Sequence, residues 1–311
     1  MLERKRDFKA WLYIGIPIFL LGVFTFYPLI KTVLISFSVQ YNPLGIGLIE
    51  QFGVVFNFDA YISVLSFPRF LTVLYNTLLI VFISVPVSTV LSILIAVALN
   101  SIKPLQKIFQ SIFFLPYVTN TLAIGMVFSV LFDQNEGLIN LIFNSNTNWI
   151  DLGAETWRWT FVVLLYTIWN GLPFKILVFI GGLQSISKQY YDAAKIDSTP
   201  KSRVLTKITI PLLSPTISYI LITSFIGAFK TYEAVIGVFT NLTNEQVRNR
   251  TTIVGFIYEM IGRTGGYAPY EDPTAVASYY SRGAAAAVIL FVIILIFTLI
   301  NLYISNRKVV Y

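Results

Sequence analysis

Residues 189–215 read QYYDAAKIDSTPKSRVLTKITIPLLSP, six charged side chains in a chain of 311 residues that is 56% hydrophobic and only 12% charged. Soluble domains carry about 25% charged residues, so this chain holds half the usual load. The apolar residues fall in long runs: WLYIGIPIFLLGVFTFYPLI from Trp11, LTVLYNTLLIVFISVPVSTVLSILIAVAL from Leu71 and GAAAAVILFVIILIFTLINLYI from Gly283. A bilayer core of about 30 Å asks for around 20 apolar residues in helix, and these runs meet it. Within such a chain the quoted segment cannot cross. Each of Asp192, Lys195, Asp197, Lys201, Arg203 and Lys207 would cost roughly 2.5–3.5 kcal/mol at mid-membrane. It must lie at a membrane surface, between spans, and the fold class is an all-α integral membrane protein.

Working outward, six transmembrane helices are readable at about 11–36, 71–99, 111–132, 159–183, 212–238 and 283–305. Basic residues orient them. The N-terminus, the 100–110 loop, the 184–211 loop and the tail together hold 13 of the 22 Lys and Arg. The opposite loops hold six basic residues and ten of the 15 acids. Both termini and the quoted segment are therefore expected on the cytoplasmic side of the cell membrane, as an even helix count requires. The net charge of +7 follows from this asymmetry and needs no nucleic acid. The basic start Arg4–Arg6 before an apolar run resembles a signal peptide, but the run is longer than such a segment and reads as a retained first helix. The expected organisation is an N-terminal helix with its external loop (1–70), a transmembrane core (71–306) and a cytoplasmic tail (307–311). Pro17, Pro28, Pro86, Pro116 and Pro173 lie inside the spans, where each removes a backbone hydrogen bond and bends the helix. The external 239–282 segment is polar enough for a cap or docking surface, with Thr264–Tyr267 as a turn.

The 189–215 segment has local order of its own. YYDAAKI is good helix material, and Ser198-Thr199 before Pro200 predicts a cap with proline at the first helical position. The next helix gathers Val204, Leu205, Ile208 and Leu212 on one face, an amphipathic element resting on the membrane or the bundle. Pro211 and Pro215 then open the fifth span. Ala193 and Ala194 allow another surface to approach closely, beside the acids at 192 and 197.

These residues resemble the cytoplasmic "EAA" motif of binding-protein-dependent ABC importer permeases. That pattern has Glu-Ala-Ala, then a Gly, then an aliphatic-x-Pro and a second Pro. Asp192, Ala193, Ala194, Asp197, Pro211 and Pro215 fall on it, while Asp192 stands for the Glu and Ser198 for the Gly. FFLPYVTNTLAIGMVFSVLFDQNEGLIN (113–140), WNGLPFKILVFIGGLQSI (169–186) and FKTYEAV (229–235) are similar to the carbohydrate branch, the maltose-type first permease. The resemblance covers nearly the whole chain. It implies a type I ABC importer permease core whose motif forms a coupling helix docked on an ATPase subunit, through Tyr191, Asp192, Ala193, Ala194, Asp197 and Ser198. It implies as partners a second homologous permease subunit, two ABC ATPase subunits and an extracytoplasmic sugar-binding protein. ATP and Mg would be bound on the ATPase, with no cofactor on this chain, in a bacterial or archaeal plasma membrane.

Chemistry on the chain itself is sparse. There is no Cys and no His, which excludes disulfides, thiolate nucleophiles, imidazole bases and Cys/His metal sites. No Gly-Lys dipeptide exists, so there is no Walker A loop. Gly45–Gly47 lacks the third glycine of a dinucleotide fingerprint and reads as a loop. Lys31, Lys175, Lys230 and Glu233 lie within the expected spans. Lys31 is placed to snorkel to the interface, and Lys230 and Glu233 are spaced to pair on one helix face. Lys175 follows the Pro173 kink and is the best candidate for the interior. Asn76, Asn170, Lys175, Tyr232 and Glu233 are the candidate substrate-pathway residues. The leading expectation is a non-catalytic permease subunit of a sugar importer, with an oligosaccharide or glycerol phosphate as cargo. The competing reading is an ion-coupled secondary carrier using Lys175 and the Lys230–Glu233 pair, against which stands the lack of a visible inverted repeat. A membrane-embedded enzyme ranks third, since no nucleophile–base set is visible.

Overall fold

A computed structural model describes residues 2–38, 41, 56–102, 106–239, 248–262 and 273–308, with the side chains of 2–10, 12, 106–107, 273–277 and 306–308 outside the description. The Gly45–Gly47 loop, the Thr264–Tyr267 turn, Lys103, Arg263 and the last three tail residues lie outside the described residues. What is described is almost wholly helical, with one isolated bridge between Ser38 and Phe56.

In chain order, α1 (Leu2–Leu21) runs through a π turn at Gly22–Phe26 into α2 (Tyr27–Ser36). Then follow α3 (Asp59–Leu65), α4 (Pro68–Ser101), α5 (Gln106–Val118), α6 (Thr121–Leu131) and α7 (Leu138–Ile142). Next come α8 (Thr156–Ser185), α9 (Lys188–Ile196) and α10 (Lys201–Val204), a π turn at Leu205–Thr209, then α11 (Ile210–Leu212) and α12 (Ser214–Phe229). Last are α13 (Glu233–Val238), α14 (Ile253–Gly262) and α15 (Pro273–Lys308).

Among the described residues four stretches are long and apolar enough to cross a membrane: Tyr13–Ser36, Pro68–Ser101, Thr156–Ser185 and Ser278–Ser305. Two further stretches qualify only as bent pairs. The expected third span, 111–132, is not one rod: α5 and α6 meet at 94°, because Asn120 leaves helical geometry and its side chain accepts from the N–H groups of Leu122 and Ala123. The sequence puts the bend at Pro116, but α5 carries that residue inside the helix. The expected fifth span, 212–238, also breaks. Its helix stops at Phe229, α13 begins afresh at Glu233, and the pair Lys201–Leu212 and Ser214–Phe229 bends by 69°. The six-span count thus becomes four unbroken spans and two bent pairs.

The chain forms two compact units, one of residues 1–71 with 255–291 and one of 72–254 with 292–311. In the first, Phe37 packs against the rings of Phe56, Phe58 and Tyr61, Phe256 meets Phe67 and Phe70, and Arg69 pairs with Glu259 at 2.5 Å. Lys31, expected to snorkel, holds its ammonium 5.9 Å from the Tyr41 ring.

Among the described residues of the second unit two apolar cores stand out. One gathers Ile80, Ile124, Trp159, Val162, Tyr166, Val235 and Val238. The other gathers Ala96, Leu99, Ile176, Phe179, Leu183, Leu213 and Ile220. Lipid is as apolar as leucine, so helices in a membrane associate by close backbone approach rather than by escape from water. The crossing of α6 and α13 shows this, for a Cβ at Gly237 would stand 2.7 Å from the Gly125 Cα. Asn76 on α4 donates to the carbonyls of Asn249 and Thr251, and Thr77 accepts from the Ile253 N–H. Arg250 donates to the carbonyls of Ile150, Asp151 and Ala154. Burial pushes its guanidinium below the ordinary arginine range, opposed by Asp151.

Candidate functional site: a polar cavity and a surface helix

Along α4, α8 and α12 the residue types change in register. On α8 the first core takes Trp159 to Tyr166 and the second takes Ile176 to Leu183. Between them Thr167, Asn170, Gly171, Phe174 and Lys175 line a cavity of about 340 Å³. On α4 the cavity residues are Ser84, Val85 and Ser88, and on α12 they are Thr223, Ser224, Gly227 and Ala228. Tyr117 and Thr121 close it from the α5–α6 elbow, with Tyr117 stacked on Phe174 at 5.7 Å between centroids. A polar stratum is thus held between two apolar ones, partway along membrane-length helices.

Three of its hydroxyls are tied to the backbone. Ser88 donates to the Ser84 carbonyl, Thr167 to Val163 and Thr223 to Tyr219, each four residues back on its own helix. Hydroxyls that spend their proton on the backbone keep lone pairs to offer. Among the described residues of the wall the ionic donor is Lys175, whose Nζ donates to Ser88 Oγ at 2.6 Å. Pro173, two residues before Lys175, denies α8 one N–H, so the Trp169 carbonyl one turn back has no helical donor.

The expected pathway residues divide. Asn170 and Lys175 line the cavity; Asn76, Tyr232 and Glu233 do not. Asn76 is tied to backbone carbonyls as described, Tyr232 sits at the N-terminus of α13, and Glu233 is exposed. The Lys230–Glu233 pairing does not form, since Lys230 caps the end of α12 while Glu233 opens α13. Sequence reasoning missed Ser84, Ser88, Thr167, Thr223 and Thr231. The signal was available: Ser84/Ser88 and Thr223/Gly227/Thr231 repeat at four-residue spacing, one face of a helix.

The 189–215 segment is equally specific in shape. Ser187 begins α9, its hydroxyl accepting from the Gln189 N–H. The end differs from the expected Ser-Thr-Pro cap, for Pro200 precedes α10 without a side-chain cap bond and Lys201 is the first helical residue. Ser198 instead adopts φ +51°. The Thr199 N–H reaches the Ala194 carbonyl at 2.9 Å and the Ser198 N–H reaches Lys195 at 3.0 Å. That bond pair with a left-handed residue is a Schellman C-cap, a place where glycine is usual. Ser198, at the glycine position of the motif the segment resembles, thus takes the left-handed backbone that glycine favours.

Ala193 and Ala194 do not share a face. Tyr191 and Ala194 turn inward, Tyr191 reaching Thr209 Oγ1 at 3.3 Å, while Tyr190, Asp192, Ala193, Ile196 and Asp197 are exposed. Ile196 is 84% exposed, an apolar side chain presented outward from a polar segment. Asp192 pairs with Lys195 at 3.1 Å. On the following stretch Val204, Leu205, Ile208 and Leu212 are half-buried and Arg203, Thr206 and Lys207 exposed, the expected amphipathic arrangement.

Membrane-length helices around a polar cavity, with a rigid helix presented from a polar loop, define a helical membrane permease. Residues 88–310 match the family model described as binding-protein-dependent transport system inner membrane component, and the chain belongs to that family. It is 31% identical to the probable ABC transporter permease protein MG188 of Mycoplasma genitalium over 66% of this chain and 63% of that one. It is 30% identical to the arabinooligosaccharides transport system permease protein AraP of Bacillus subtilis, over 91% of this chain and 84% of that one. Its fold matches a chain in the crystal structure of a bacterial ABC transporter involved in the import of the acidic polysaccharide alginate, with TM-score 0.79, 19% identity, and coverage of 98% of this chain and 97% of that chain.

Proposed function

We propose that this chain is the permease subunit of an ATP-driven importer for a sugar, an oligosaccharide by preference, forming half of the translocation pathway. The observation that carries this is α9, a surface helix capped at both ends with an outward face of Tyr190, Ala193, Ile196 and Asp197. A loop that only fixed topology would need neither cap. The chain has no Walker A loop of its own, so the energy enters from another chain, and α9 is where an ATPase subunit docks. The chain itself catalyses no reaction and carries no cofactor; ATP and Mg belong to the ATPase. A second permease completes the pathway, an extracytoplasmic binding protein delivers the sugar, and both termini lie in the cytoplasm. The arabinooligosaccharide relative and the alginate transporter fold support sugar as the cargo class. An ion-coupled carrier loses its proposed pair, because Lys230 and Glu233 sit on separate helices.

Purification of the tagged chain from native membranes in mild detergent, with its companions identified by mass, tests the reading. Two ATPase copies and a second permease are expected. A chain that emerges alone or as a homo-oligomer under several mild conditions would overturn it.

A further inference from the structure

Resting on that transport reading, we infer that the cavity on α4, α8 and α12 selects a sugar bearing a negatively charged group, a carboxylate or a phosphate, with Lys175 as the residue that receives the charge. Three observations converge. First, Lys175 is the one ionic side chain among the described residues of the cavity wall, and no carboxylate lines the space. Intramembrane lysines are kept where a partner or a watery cavity compensates them, and the partner of this one is the neutral hydroxyl of Ser88, 2.6 Å away. An ammonium has three donors, so two remain for a guest.

Second, room is left beside the charge. An added Cβ at Gly171 would stand 3.9 Å from Lys175 Nζ, and one at Gly227 would meet nothing within 4 Å. The wall is therefore open at Gly227 and only in ordinary contact at Gly171, beside the ammonium. Third, the Thr167 and Thr223 hydroxyls commit their protons to their own helices and keep lone pairs for a guest, beside Asn170, which can both donate and accept. Such a wall suits the hydroxyl groups of a sugar ring, which both donate and accept. One cation among neutral polar groups is the complement of an acidic sugar: ring hydroxyls bond to the walls and the anionic substituent meets Lys175.

The test uses uptake by whole cells whose only copy of the chain is wild type, Lys175→Met or Lys175→Arg, normalised to chain abundance in the membrane. The radiolabelled probes are trigalacturonate (carboxylate), sn-glycerol 3-phosphate (phosphate) and maltotriose (neutral). Wild type is expected to take up one acidic probe in preference to maltotriose, and which one assigns the group. Lys175→Met should raise KM for that probe and lower uptake roughly ten- to hundredfold, the worth of a hydrogen bond to a charged group, while Lys175→Arg keeps most of it. Uptake of maltotriose alone by wild type overturns the inference and leaves the importer reading standing, with no variant needed. Unchanged acidic uptake per chain in Lys175→Met does the same. No probe entering wild-type cells, with no ATPase co-purifying, brings down both.

Discussion

Replacing Gly237 by Ala puts a methyl group where the backbone of α6 already lies. The added Cβ would stand 2.7 Å from the Gly125 Cα and 2.8 Å from the Leu122 carbonyl oxygen, against about 3.5–4.0 Å for an ordinary contact. Both neighbours are backbone, so no rotamer change relieves the clash, and α13 must withdraw by roughly 1 Å along its length. Overpacking of this kind costs about 1–3 kcal/mol, which lowers the melting temperature by roughly 1.5–2 °C per kcal/mol in a chain of this length. Thermal unfolding of the purified protein in one detergent, followed by tryptophan fluorescence, reads it directly. Gly125→Ala attacks the same crossing from the other side, its Cβ falling 2.6 Å from the Gly237 Cα. Once one replacement has driven the helices apart the second has less to displace, so the double variant should lose less than the sum of the singles. A Gly237→Ala protein that melts with wild type, or strict additivity, would refute the crossing as described.

Other expectations follow from single residues. Ser198→Val places a β-branched side chain at φ +51°, where an ordinary L-residue costs about 1–2 kcal/mol; uptake should fall with membrane abundance unchanged, whereas Ser198→Gly keeps both. Asp192→Lys should leave insertion intact but abolish uptake, read by membrane abundance against transport, since the Asp192–Lys195 pair is exposed and too weak to matter for folding. Asn76→Leu strips two carbonyls of their donor at about 1–3 kcal/mol; faster proteolysis around 248–254 is expected, with cargo preference per folded chain unchanged.

The sequence made the membrane class legible because apolar run length depends on composition alone, and it made α9 legible because its motif is local. The breaks were harder. Proline at 116 advertised a bend that falls instead at Asn120, whose side chain makes the cap, and nothing local marks the stop at Phe229. The cavity was half visible. Lys175 and Asn170 stood out as polar residues in apolar company, but the serines and threonines that form the wall look like ordinary helix-bonding hydroxyls until α4, α8 and α12 are brought together. Asn76 looked the same as Asn170 in sequence, and only the distant Asn249 and Thr251 carbonyls separate a strap from a wall.

The central claim, that α9 receives an ATPase, has a direct measurement because the chain has no cysteine of its own. Ile196→Cys, at a strongly exposed position of α9, and Leu141→Cys on α7, exposed but far along the chain, each give one thiol for a short heterobifunctional cross-linker in native membranes. A cross-link from position 196 to an ATPase subunit, its yield changing with added ATP, and none from position 141, is the predicted result. Equal labelling of both positions, or an unlinked position 196 in membranes where the ATPase is present, would contradict the account.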